Sequence, residues 1–73
     1  MIKQTKDRLN KVVFAAVVSA ISMTKDLEVD RKDLKPYIIQ ALLGLLDVEF
    51  FYYFNYINDM VDKLLADENL LSL

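Results

Sequence analysis

Seventy-three residues make one domain with a thin core, because a chain this short buries only about 60% of the surface that its unfolded form exposes. There is no cysteine and no histidine, which excludes disulfides and zinc sites built on those ligands and leaves a second chain as the means of stabilising so small a fold. The 55% hydrophobic content points the same way.

The net charge of −2 is unevenly spread. Residues 1–11 set Lys3, Lys6, Arg8 and Lys11 against Asp7, a net +3. Residues 24–36 are balanced, and residues 37–73 set Lys63 against six carboxylates, a net −5. A basic start and an acidic end can complement each other within the fold or across a dimer. Four basic residues are a thin footprint for nucleic acid, which is not expected as a partner. The absence of cysteine fits the cytosol, and a cytoplasmic location is expected.

The first helix is predicted over residues 3–23. Its charged start, the apolar run 12–21 and the small Ser19 and Ala20 mimic a signal peptide. The run falls short of the roughly 20 residues that span a bilayer, so it reads as a buried helix. Leu9, Val13, Ala16, Val17, Ala20 and Met23 share one side, while Val12, Phe14, Ala15, Val18 and Ile21 make it apolar nearly all round. Its valines lower intrinsic helix propensity, so packing must hold it.

A polar loop over residues 24–30 leads to a second helix, predicted over 31–46. Asp30 followed by Asp33 resembles a capping box. With Asp33 as the alternative N-cap, Pro36 falls in the tolerated first turn. Leu34, Ile38, Ala41, Leu42 and Leu45 form one stripe and Ile39, Leu43 and Leu46 another, so this helix needs neighbours on both sides. Gly44 reads as a C-cap or kink, and Asp47 as a fresh N-cap. The third helix is predicted over 48–66, its seam being Phe50, Phe54, Ile57, Val61 and Leu64. The β propensity of residues 50–56 allows a strand, but the seam and the missing turn residues favour helix. Beyond it, the tail over residues 67–73 reads as a fraying end, with docking of Leu70, Leu71 and Leu73 somewhere on the fold as the alternative. The expected fold is all-α, a small three-helix bundle completed by self-association.

Little in the sequence supports catalysis. Histidine and cysteine are absent as base and nucleophile, Ser19, Ser22 and Ser72 have no recognisable activating partner, and one glycine cannot build a phosphate loop. The chain is therefore not expected to be an enzyme, and no cofactor is expected.

Two constellations stand out. Tyr52, Tyr53 and Tyr56, with Phe51 and Met60, form an aromatic ladder beside the phenylalanine seam. Tyrosine offers apolar area with a polar tip, which suits interfaces, although the same residues can simply roof the chain's own core. Together with Ile39, Leu43 and Leu46 they are the expected interface. The second constellation is the carboxylate cluster Asp26, Glu28, Asp30 and Asp33, chemically suited to calcium or magnesium. An EF-hand starting at Asp26 fails, with Arg31 at its glycine position and Tyr37 at its last acidic ligand. The competing reading is a helix cap with salt-bridged neighbours.

The small-residue helix containing Ala15, Ala16, Val17 and Val18, followed by Asp26, Glu28, Val29, Asp30, Asp33 and Leu34, resembles the tellurite-resistance TerB-like domains over residues 12–45. That family has an Asp-Gly-x-Ile/Val-x-x-x-Glu turn opening its next helix. Here Leu27 replaces the turn glycine and aspartate the final glutamate, and the chain is about half the expected length. The resemblance implies a helical interaction or metal-associated stress module, with Asp26, Glu28, Asp30 and Asp33 as its site residues.

The leading expectation is a protein-interaction module forming a homodimer or another homo-oligomer, and a small inhibitor or immunity-type protein has the same size and acidity. A calcium- or magnesium-responsive domain using the acidic loop is the alternative. A membrane surface, engaged by the basic start and apolar first helix, is a lesser one.

Overall fold

The structure is a computed structural model that describes residues 1–70. It is 80% helical with no strands among the described residues. Four α-helices follow in order: α1 (Lys3–Thr24), α2 (Lys35–Leu46), α3 (Val48–Tyr52) and α4 (Phe54–Ala66), with a 3₁₀ turn (Arg31–Leu34) ahead of α2. The α1, α2 and α4 helices each touch both of the others.

One apolar core joins them. Leu9, Val13, Val17 and Ile21 come from α1, Leu34, Ile38, Leu42 and Leu46 from the 3₁₀ turn and α2, and Phe50, Ile57, Val61 and Leu65 from α3 and α4. Each set advances mostly by four residues. At 3.6 residues per turn a step of four drifts by about 40°, so the buried line on α1 winds around the helix and meets neighbours on two flanks. None of the helix starts has a side-chain cap hydrogen bond. A missing cap costs about 1 kcal/mol, whereas burying one leucine contributes about 1.5–3 kcal/mol. Packing, not capping, therefore fixes these helices.

Several local expectations are corrected. The capping box does not form: Asp30 begins the 3₁₀ turn in extended conformation, and its backbone carbonyl, not its carboxylate, accepts from Asp33 N at 3.0 Å. Leu34 stands at the N-cap of α2, which still leaves Pro36 in the first turn. Gly44 lies inside α2, and no atom comes within 4 Å of the place a Cβ would take. The chain reverses instead at Asp47, with φ 54° and ψ −119°. The predicted third helix is divided at Tyr53, whose φ of −109° and ψ of 28° leave the helical region. On its seam Phe54 is exposed, and Leu65 replaces Leu64 as the buried residue.

Two ties hold the ends. Thr24 Oγ1 donates to Ala20 O at 2.7 Å and closes the last turn of α1. Arg31 reaches across to the carbonyls that follow α4, Nη1 donating to Asp67 O (2.7 Å) and Nη2 to Leu70 O (2.5 Å). That clamp accompanies the packing of Leu70 against the core. Leu71, Ser72 and Leu73 lie outside the described residues. Among the described residues, no helix is long and apolar enough to cross a membrane.

Candidate functional site: an apolar groove between α1 and α2

The small side chains of α1 are the origin of the site. Val12, Ala15, Ala16, Ser19, Ala20 and Met23 line one flank of a groove, and Tyr37, Ile38, Ala41 and Leu45 of α2 line the other. Alanine and serine at 15, 16, 19 and 20 are too short to fill the space between two helix axes, which ordinarily lie 8–10 Å apart. A trough of about 500 Å³ results. It shares Ala20, Met23 and Tyr37 with a second compartment of about 520 Å³, which reaches Leu27, Val29 and Asp33 of the loop. The two form one continuous furrow.

No charged side chain lines the first compartment, and Asp33 is the one at the far end of the second. The rim is unusually apolar for a surface: Met23 is 82% exposed, Tyr37 71% and Leu45 67%. An uncharged concavity of this kind, bounded by large apolar side chains, is the shape that receives the apolar face of a helix. Water gains no hydrogen-bonding partners there beyond the Ser19 and Tyr37 hydroxyls, so apolar atoms displace it readily.

The residues singled out in sequence are placed differently. Leu46 is buried in the chain's own core, and Ile39, Tyr53, Tyr56 and Met60 pack against that core half-buried. The reason is that α4 lies against α1 and uses this side of the ladder as its inner flank. There Tyr56 donates its hydroxyl proton to Asn10 Oδ1 of α1. Leu43 sits at the surface, and Phe51 (67% exposed) and Tyr52 (78%) on the short α3 are the members of the set that face water freely. The ladder is thus largely a roof over the core. Phe51 stacks edge-on against Phe50 at 5.5 Å, and Tyr52 against Tyr53 at 4.6 Å, so both are braced from within.

Asp26, Glu28, Asp30 and Asp33 are all exposed. Among the described residues no three acidic side chains converge as a metal site would require. They form no ion pair among the described residues either. The pairs formed lie elsewhere: Lys35 with Asp62 at 2.7 Å, and Arg8 with Glu49. The hydrogen bond to Glu49 holds the Arg8 guanidinium above its ordinary pKa and fixes the start of α1 beside α3.

The groove was missed in sequence because α1 is apolar nearly all round. Its signal was present, in the paired small residues Ala15–Ala16 and Ser19–Ala20 repeating at four-residue spacing on one flank. No family model, no curated protein and no solved structure matches this chain.

Proposed function

We propose that this chain is a protein-interaction module whose α1/α2 groove seats an apolar helix of another chain. The observation that carries the reading is the continuous, almost uncharged furrow rimmed by Met23, Tyr37 and Leu45. Soluble monomers seldom leave so many large apolar side chains exposed together unless something covers them. A further helix laid in the furrow covers the exposed flank between α1 and α2, and a rim side chain that it buries fully gains on the order of 1.5–3 kcal/mol before the costs of association. The exposed α3 aromatics compete less well, because α3 is only five residues long and the hollow of about 400 Å³ over residues 51–56 is lined by three tyrosines and Asn55 as well as two phenylalanines.

Methionine oxidation reads the occupancy of the groove directly. In the free chain Met23 is exposed whereas Met60 is half-buried, so peroxide oxidises Met23 first. In an extract of cells making the protein, an occupied groove slows Met23 to the rate of Met60 or below. Met23 remaining the faster site in that extract rejects the reading.

A further inference from the structure

The groove has a low floor and a high rim on the same surface. Ala15, Ala16, Ser19 and Ala20 make the floor, and Met23, Tyr37 and Leu45 stand around it. A surface carrying both knobs and the hollow they fit is self-complementary, which is what a two-fold interface requires. A standard interface needs about 800 Å² from each partner, roughly 15% of the 5369 Å² surface of this chain. The furrow, extending from Leu45 to Val29, offers one continuous apolar surface toward that area.

Charge selects the orientation. Lys3 and Lys6 open α1 with no acidic residue in its first turn, against the preference of the helix dipole for negative charge there. Local stability therefore does not account for them. Nor do Lys3, Lys6 and Lys11 form an ion pair among the described residues. At the other end of α1 the loop over residues 25–33 sets the carboxylates Asp26, Glu28, Asp30 and Asp33 against Lys25, Arg31 and Lys32, a net −1, with Asp33 in the furrow wall. Each chain thus carries a net positive charge at one end of the groove and a small net negative charge at the other.

We infer that the occupant of the groove is a second copy of this chain, with the two α1 helices antiparallel about a two-fold axis near Ala16–Ser19. The inference rests on the groove being the binding surface, as proposed above. At 1.5 Å per residue, Lys6 lies about 17 Å to one side of that axis and Asp26 about 13 Å to the other, taking the chain as helical throughout. The basic start of each copy then falls beside the acidic loop of its partner. A parallel pairing sets like charges together at both ends. The floor of small residues lets the two α1 backbones approach closely at the axis, and Met23 and Tyr37 of each copy enter the furrow of the other.

The cysteine-free sequence gives a clean test. Ser19→Cys places a single thiol near the axis, where two antiparallel helices bring equivalent residues within disulfide reach. The expected results are a wild-type mass in light scattering of twice 8.5 kDa, a disulfide dimer from Ser19→Cys under mild oxidation, and little or none from Gln40→Cys or Phe51→Cys. Lys6→Glu removes two symmetry-related pairs and weakens the dimer up to about thirtyfold at low salt, the upper range for two exposed pairs, and mixing it with Glu28→Lys restores affinity. A dimer that crosslinks through Phe51→Cys and not Ser19→Cys overturns the inference and moves the interface to α3. A purified chain that stays monomeric with Met23 reactive, while Met23 is protected in the cell extract, also overturns it. In that case the interaction reading survives with a different chain as the occupant.

Discussion

The reversal at Asp47 makes a sharp prediction, because one residue there holds a backbone that L-amino acids resist. Its φ of 54° and ψ of −119° match the first central position of a type II′ turn, where glycine is the usual occupant. Conformations of this kind cost about 1–3 kcal/mol. The aspartate recovers none of this through its side chain, which makes no capping hydrogen bond to α3. Glycine removes the steric cost but adds up to about 1 kcal/mol of unfolded-state entropy. Asp47→Gly should therefore stabilise the fold by about 1 kcal/mol, raising the melting temperature by roughly 4–8 °C for a domain of this size. Asp47→Ala, which keeps the strain and removes the charge, should stay within about 0.5 kcal/mol of wild type, and Asp47→Val should be less stable than either. Urea unfolding followed by helical circular dichroism at one fixed protein concentration gives the comparison, with an unchanged m value as the check on two-state behaviour. A glycine variant no more stable than the alanine variant refutes the argument that backbone strain resides at this position.

Two further substitutions probe the ends of helices. Ile2 stands at the N-cap of α1 in extended conformation with no side-chain bond, so Ile2→Asp should add about 1 kcal/mol of stability by supplying a cap and by offsetting the lysines of the first turn, read from the same unfolding curves. Arg31→Met keeps much of the apolar stem but removes both hydrogen bonds to Asp67 O and Leu70 O; it should cost about 1–2 kcal/mol and speed amide exchange after α4. In the core, Leu42 is fully buried, so Leu42→Ala should cost about 2–5 kcal/mol, enough to unfold much of a domain this small near 40 °C; a change below 1 kcal/mol contradicts the packing described.

The sequence already contained most of the core, since Leu9, Val13, Val17, Leu34, Ile38, Leu42, Ile57 and Val61 repeat at helical spacing and have no polar atoms to satisfy. What it could not separate is which of two apolar flanks meets a neighbour. Leu45 and Leu46 are adjacent leucines, yet one lies 67% exposed on the groove rim and the other is core. That choice is made by the rotation of α2 relative to α1 and α4, a tertiary quantity with no local signature. The break at Tyr53 was hidden for a related reason. No glycine, proline or asparagine marks it, and the aromatics on either side suit a helix or a bend alike. Gly44 misled in the opposite direction, being a turn residue in composition while sitting in an exposed helical position where its missing side chain meets nothing.

The same ambiguity bears on where the proposed binding surface lies. An interface in a marginal domain must be apolar enough to bind, but every large side chain placed on α1 competes for a position in its own core. Alanine and serine at 15, 16, 19 and 20 resolve the conflict, because they are good or tolerable helix residues that claim little core volume, Ala16 and Ala20 only packing against its edge, and leave a trough behind. The large residues needed for affinity are displaced to Met23, Tyr37 and Leu45 at the rim, where they can be exposed without opening a cavity inside. Stability and the proposed association thus draw on different faces of α1. The stride-four line from Leu9 to Ile21 serves the fold, and the paired small residues beside it shape the hollow.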